Sequence, residues 1–170
     1  MNVTVLATGF MQPPRRSNGM RDIMVEILSR QPNADVRLYS YRQEKAIPSL
    51  AAELVASKEK IVGAGHSFGC YWWSQLAAAI ESAGGEVWAL FLADGVGRHG
   101  LGSPLVIPAC VREVYSVRQE TGKVIQGSEI LIKDDTHTKI VEDRIIECHH
   151  PAVDDEEEFQ AAVIASATIL

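Results

Sequence analysis

The chain has 170 residues, of which 46% are hydrophobic and 22% are charged. This length and balance are typical of one folded globular domain and exclude extensive disorder, so we predict a single domain over residues 1–170. The net charge is -6 and the basic residues are scattered. A nucleic-acid partner is therefore not expected, because binding to phosphate backbones generally needs a concentrated basic surface.

The three cysteines are Cys70, Cys110 and Cys148, an odd number without the spacing of a disulfide framework. The N-terminus lacks the basic region and the cleavage site of a signal peptide. The longest apolar stretch, 159–170, is too short for a membrane span. These features predict a cytoplasmic protein without a transmembrane segment.

Short aliphatic and β-branched runs along the chain predict six strands. They are Val3–Ala7, Val36–Tyr39, Lys60–Ala64, Val87–Ala93, Val111–Val117 and Ile130–Lys133. The run at 87–93 is almost wholly apolar, which is typical of a strand covered on both faces. Helical spacing of apolar residues predicts five helices in the remaining segments. They are a helix capped by Asn18, one that begins near Pro48, and those at Gly69–Ala83, Lys139–Cys148 and Asp154–Leu170.

The alternation of strands and helices predicts an α/β fold. Right-handed crossovers between parallel strands place helices on both faces of the sheet. We therefore expect a three-layer, doubly wound, mostly parallel sheet of six strands.

The sequence Gly65-His66-Ser67-Phe68-Gly69 matches the G-x-S-x-G pattern between a predicted strand and a predicted helix. In that setting the pattern indicates a nucleophile on a strained turn, with the helix N-terminus close to a developing negative charge. Ser67 is accordingly the predicted nucleophile. The alternative is a glycine-rich turn in which Ser67 only caps the helix.

A serine hydroxyl needs a base, and five histidines are available. His137 follows the last predicted strand and comes after both Ser67 and a candidate acid, so we predict that it is the base. His149 and His150 lie beyond a predicted helix and are expected at the opposite edge of the sheet.

Two acids compete for the third position. Asp94 directly follows the apolar strand and could hold the imidazole in the required tautomer. Glu120, after the next strand, is the alternative. We favour Asp94.

The oxyanion hole needs two N–H donors. Phe68, directly after the nucleophile, and Phe10, in the loop after the first strand, are the predicted donors. Gly9, Met11 and His66 complete the predicted substrate-binding residues, although the turn should direct the ring of His66 away from Ser67.

Together these residues resemble the α/β-hydrolase superfamily, and in particular its small lipase- or esterase-like members without a cap domain. The matching segments are 5–10, 61–69, 90–96 and 134–141, of which only the elbow at 65–69 is specific. The resemblance implies a minimal α/β-hydrolase fold and a serine hydrolase that cleaves a carboxylic ester of a small or lipid-like molecule.

Three other functions stay open at this point. A thioesterase or an acyltransferase would use the same residues, and a binding protein could retain the fold without the activity. A metal site could be imagined at Cys148-His149-His150 with Asp154 and Asp155. Adjacent histidines rarely converge on one ion and no zinc-type spacing accompanies them, so we predict no metal and no cofactor.

Overall fold

The computed structural model describes residues 2–10, 12, 18–97, 103–120 and 126–168. Strands and helices alternate over the first half of this region. The strands are β1 (Asn2–Thr8), β2 (Asp35–Ser40), β3 (Lys60–His66), β4 (Val87–Ala93), β5 (Leu105–Ile107), β6 (Val111–Arg118), β7 (Ile130–Ile132) and β8 (Lys139–Ile145). The α-helices are α1 (Gly19–Arg30), α2 (Ile47–Ser57), α3 (Phe68–Ser82) and α4 (Glu157–Thr168). Short 3₁₀ helices lie at Glu44–Ala46 and His150–Asp155.

Six strands form one sheet in the order β2-β1-β3-β4-β6-β8, and every neighbouring pair is parallel. Helices α2 and α3 pack on one face and α1 and α4 on the other, each against its own buried apolar cluster. The predicted three-layer α/β fold is confirmed. Within the described residues, no helix is both long and apolar enough to cross a membrane.

Local sequence explains where the first helix begins. Asn18 has extended backbone dihedrals and its side chain accepts a hydrogen bond from the N–H of Arg21 at 3.1 Å. This satisfies one of the N–H groups that a helix leaves without an internal acceptor. The predicted cap is confirmed.

Two of the predicted elements are wrong. The segment predicted as the sixth strand of the main sheet, Ile130–Lys133, instead pairs as β7 with β5 in a separate two-stranded sheet. The segment predicted as a helix, Lys139–Cys148, contains β8, which pairs with β6 and is the edge strand of the main sheet.

The physical reason for the second error is the exposure of β8. Its burial pattern lacks the alternation of a half-buried strand, and Ile140 and Val141 lie exposed among charged residues. Charged side chains are common on edge strands, where they discourage pairing with other chains. The sequence therefore carried no clear strand period in this segment.

Because all six strands run parallel, their carboxyl ends meet at one edge of the sheet. The residues at that edge are Thr8, Ser40, His66, Ala93, Arg118 and Ile145, each the last of its strand. The site described below lies in the loops that follow Thr8, His66, Ala93, Arg118 and Ile145.

Candidate active site

Ser67 lies on a tight turn between the end of β3 and the start of α3. Its φ is 56° and its ψ is −123°, a conformation that costs a non-glycine residue about 1–3 kcal/mol and persists only where neighbours enforce it. Its side chain makes no capping hydrogen bond to the helix. The alternative in which Ser67 serves only as a helix cap is therefore not supported.

Neighbouring backbone holds this turn in place. The N–H of Ser67 donates to the carbonyl of Ala93 at 3.0 Å, which ties the turn to the end of β4. A Cβ on Gly69 would lie 2.2 Å from the carbonyl oxygen of Ala7. Glycine is required there because α3 passes directly against the backbone of β1.

The side chain beside Ser67 is His150, the first residue of the 3₁₀ helix that follows β8. Its Nε2 lies 2.9 Å from Ser67 Oγ, and its Nδ1 contacts Oδ2 of Asp94. A carboxylate only accepts hydrogen bonds, so Nδ1 carries the ring proton and Nε2 is free to accept from the hydroxyl. The three side chains form one continuous chain of hydrogen bonds.

Asp94 is fully buried at the end of β4, with a φ of 46°. Its Oδ1 accepts from the backbone N–H of Gln119 at 3.0 Å, and its Oδ2 accepts from the side-chain amide of Gln119 at 3.1 Å. These donors and His150 compensate the carboxylate for its burial. The residue predicted as the acid therefore lies beside an imidazole.

Glu120, the alternative acid, is directed elsewhere. Its side chain is mostly exposed and Oε1 lies 3.3 Å from Nη1 of Arg118. The structure gives it no contact with a histidine among the described residues.

The predicted position of His137 is wrong. This histidine precedes β8, and its Nε2 lies 3.3 Å from Oε1 of Glu86, which precedes β4. Both residues therefore lie at the amino edge of the parallel sheet, opposite Ser67. The error follows from the misassigned last strand: once 139–145 is a strand, the loop before it faces away from the site and the loop after it enters the site.

One sequence signal could have identified His150. It follows Ser67 and Asp94 along the chain and so satisfies the same order that favoured His137. Taking 139–145 and not 130–133 as the last strand of the main sheet would have moved the expected base from His137 to the pair His149-His150. The metal alternative that used this histidine has no support among the described residues, where no three metal-ligating side chains are grouped to hold an ion.

His66 also differs from its predicted place among the substrate-binding residues. It is 1% exposed, with Nε2 2.9 Å from the backbone carbonyl of His150 and Nδ1 2.7 Å from Oε1 of Gln12. Both ring nitrogens are thus engaged by protein atoms beneath the site. The expectation that the ring points away from the nucleophile agrees with this contact pattern.

The same cluster includes a buried carboxylate that the sequence analysis did not select. Nε2 of Gln12 lies 3.2 Å from both carboxylate oxygens of Asp154, and Nδ1 of His66 lies 3.8 Å from Oδ1. Burial lowers the pKa of His66, and the charge of Asp154 acts in the opposite direction. Asp154 was expected to begin a helix, but α4 begins at Glu157 and Asp154 belongs to the preceding 3₁₀ helix.

The predicted oxyanion donors belong to two segments that meet at Ser67, the start of α3 and the loop after β1. Phe68 is the first residue of α3, so its N–H has no acceptor within the helix. Gly9 approaches the turn so closely that a Cβ there would lie 2.7 Å from Cβ of Ser67. Phe10 follows Gly9 in the same loop, and its side chain is 49% exposed. Met11 lies outside the described residues.

Comparison with known proteins gives similarity at the level of structure only. No family profile matches the sequence, and no curated protein does. Among solved structures, a protein of Xanthomonas campestris pv. campestris assigned to the alpha/beta hydrolase superfamily matches with a TM-score of 0.60 and 16% identity, over 98% of each chain.

A second solved structure is the RedJ thioesterase of the prodiginine biosynthetic pathway in Streptomyces coelicolor. It matches with a TM-score of 0.53 and 9% identity, over 99% of this chain and 90% of that one. At these identities the similarity concerns the fold. The chain therefore has the α/β-hydrolase fold.

Proposed function

We propose that the protein is a serine hydrolase that cleaves a carboxylic ester through an acyl-enzyme on Ser67. The observation that carries the proposal is the continuous hydrogen-bond chain from Ser67 through His150 to Asp94, on a strained turn at the carboxyl edge of the sheet. A nucleophile, a base and an acid that orients the base are the elements that acyl transfer by serine requires.

In the first step, Oγ of Ser67 attacks the carbonyl carbon while its proton moves to Nε2 of His150. Asp94 holds Nδ1–H and stabilises the imidazolium that results. His150 then gives its proton to the leaving alkoxide as the bond between the carbonyl carbon and the ester oxygen breaks. Ser67 is left acylated.

In the second step, water attacks the acyl carbon while one of its protons passes to His150. The bond between the acyl carbon and Oγ of Ser67 then breaks as the imidazole returns that proton to Oγ, and the carboxylic acid leaves. The N–H groups of Phe68 and Phe10 are the proposed donors to the oxyanion in both steps. A donor of this kind contributes about 10²–10³-fold to the rate. No metal or organic cofactor takes part in this scheme.

An aromatic surface beside the nucleophile favours a substrate with an apolar acyl group. The ring of Tyr41 lies 5.6 Å from that of Phe68 and 6.3 Å from that of Phe10. The ring of Phe10, in the loop after β1, is half exposed. Each CH₂ of an acyl chain that this ring removes from water would contribute about 0.8 kcal/mol to binding. Trp72 and Trp73, in contrast, are fully buried and belong to the core.

A thioester is the second candidate substrate, because the structural neighbour from Streptomyces coelicolor is a thioesterase. The same three side chains would serve. A thiolate leaving group needs less help from a proton than an alkoxide does, so the two substrates make different demands on His150.

The test compares p-nitrophenyl esters with matched thioesters of the same acyl groups. We expect a burst of p-nitrophenol followed by slower turnover, which is the kinetic sign of an acyl-enzyme. Ser67→Ala should abolish the burst, and Ser82→Ala, an exposed serine at the end of α3, should leave it unchanged. Folded wild-type protein that hydrolyses neither class would contradict the proposal.

A further inference from the structure

Beneath the proposed base lies a buried polar chain that the acyl-transfer scheme does not use. It runs from Asp154 through the amide of Gln12 to the ring of His66, and from Nε2 of His66 to the backbone carbonyl of His150. Asp154 and His66 are buried, at 0% and 1% exposure. Burying a carboxylate costs free energy unless hydrogen bonds compensate it, and Gln12 supplies such bonds to both oxygens of Asp154.

Hydrogen-bond chemistry fixes the direction of the last link. A carbonyl oxygen only accepts, so Nε2 of His66 carries a proton and donates it to His150. The carbonyl and the imidazole belong to the same residue. Holding the carbonyl therefore limits where the imidazole can lie relative to Ser67.

The same hydrogen bonds also anchor the 3₁₀ helix His150–Asp155 near both of its ends. His66 holds the carbonyl of the first residue and Gln12 holds the carboxylate of Asp154. Helix α1 packs directly against the second anchor: a Cβ on Gly19 would lie 2.1 Å from the carbonyl oxygen of Asp154. A short helix fixed at two points has little freedom to displace its first side chain.

We propose that His66, oriented by Gln12 and Asp154, is a positioning residue that fixes the imidazole of His150 for proton transfer with Ser67. This inference rests on the proposed function. It assigns a role to a histidine that lies next to the nucleophile in sequence but turns away from it. The ring of His66 lies 4.9 Å from that of His150, with 33° between the planes, so the two rings also pack against each other.

Two substitutions at position 66 separate positioning from a structural role. The side-chain nitrogen of glutamine can reach the place of Nε2 and donate to the His150 carbonyl. The nitrogen of asparagine reaches only the place of Nδ1. Both variants remove the ring and introduce the same amide, and thermal unfolding measures what the shorter asparagine costs in packing.

The experiment measures kcat and KM for one p-nitrophenyl ester, together with thermal unfolding and the downfield proton resonance of the hydrogen bond between His150 and Asp94. We expect His66→Gln to keep kcat near the wild-type value and His66→Asn to lower kcat about 10- to 100-fold with KM nearly unchanged. The downfield resonance should persist in His66→Gln and broaden or vanish in His66→Asn.

Equal kcat in the two variants, once corrected for the folded fraction, would overturn the inference. If His66→Asn does not fold, Asp154→Asn and Asp155→Asn provide the test, since Asp155 lies on the same short helix with its side chain exposed. The inference predicts a loss of kcat in Asp154→Asn alone, and equal kcat in both overturns it. A wild-type protein without ester or thioester hydrolysis would count against the proposed function, whereas an active wild type with no difference within these pairs counts against the positioning role only.

Discussion

Nε2 of His150 lies 2.9 Å from Oγ of Ser67, across 83 positions of sequence. Two different strands deliver the pair to the same place: β3 ends directly before Ser67, and β8 ends five residues before His150. The parallel sheet brings both ends to one edge. The contact therefore depends on the edge strand β8, whose residues are largely exposed.

The first prediction concerns the two histidines that compete for the role of base. We expect His150→Ala to lower kcat/KM for a p-nitrophenyl ester by about 10²–10⁴-fold, the range that a positioned general base contributes. His137→Ala should stay within about twofold of wild type because its ring contacts Glu86 at the other edge of the sheet. A larger loss in His137→Ala than in His150→Ala would contradict this assignment, and circular dichroism of both variants checks the fold.

The sequence analysis predicted the fold class, the first five strands of the main sheet, the turn at Ser67 and the position of Asp94 at the end of β4. Each of these has a strong local signal: a continuous apolar run, paired glycines, or a carboxylate directly after a buried strand. His137 was misplaced because β8 has no such signal. Its only side-chain pattern is an edge strand's mixture of charge and exposed aliphatics.

The second prediction concerns the acid. Asp94→Asn keeps the shape of the side chain but removes the charge, so the tautomer of His150 is no longer held and the imidazolium is no longer stabilised. We expect kcat to fall about 10³- to 10⁴-fold, by analogy with the serine protease triad. Glu120→Gln is the matched control and should leave kcat unchanged, because this side chain pairs with Arg118 at the surface.

Stopped-flow kinetics of both acid variants would make the comparison. A loss in Glu120→Gln with full activity in Asp94→Asn would reverse the roles assigned here. Thermal unfolding of Asp94→Asn is needed beside the kinetics, since Gln119 donates two hydrogen bonds to this carboxylate.

The third prediction concerns the aromatic surface. Phe10→Ala removes the exposed ring beside Tyr41, and we expect the ratio of kcat/KM for an octanoyl ester to that for an acetyl ester to fall about 5- to 10-fold. The acetyl ester alone should be hydrolysed nearly as in wild type. Val25→Ala, an exposed apolar residue on α1, is the control. An unchanged ratio in Phe10→Ala would show that the acyl chain binds elsewhere.

The fourth prediction concerns the pH dependence of stability. Burial lowers the pKa of His66 in the folded protein, against the opposing attraction of Asp154 and Asp94 and with a further repulsion from His150. In the unfolded chain the pKa of this histidine is about 6.5. Below that pH the unfolded chain binds a proton more readily than the folded protein, so acid favours unfolding. The free energy of unfolding should fall more steeply in wild type than in His66→Gln between about pH 7.5 and about pH 5.5.

Urea denaturation at the two pH values measures this difference. A wild-type protein that gains stability relative to His66→Gln on acidification would contradict the lowered pKa.

Two parts of the site were outside the reach of the sequence. Gln12 has no motif around it, and Asp154 stands at the head of five consecutive acids, where helix-dipole stabilisation is the ordinary interpretation. Gln12 reaches His66 from the loop after β1, and Asp154 reaches it from the 3₁₀ helix, which packs against Gly19 of α1. Such contacts depend on tertiary structure, and local composition does not indicate them.

The central claim is that Ser67 is an activated nucleophile, and covalent labelling tests it most directly. The purified protein would be treated with a fluorophosphonate and analysed by intact and peptide mass spectrometry, beside Ser67→Ala and Ser82→Ala. We predict one adduct, on the peptide that contains Ser67, in wild type and in Ser82→Ala, and none in Ser67→Ala. A folded wild-type protein that takes up no label, or one whose label persists in Ser67→Ala, would contradict the account.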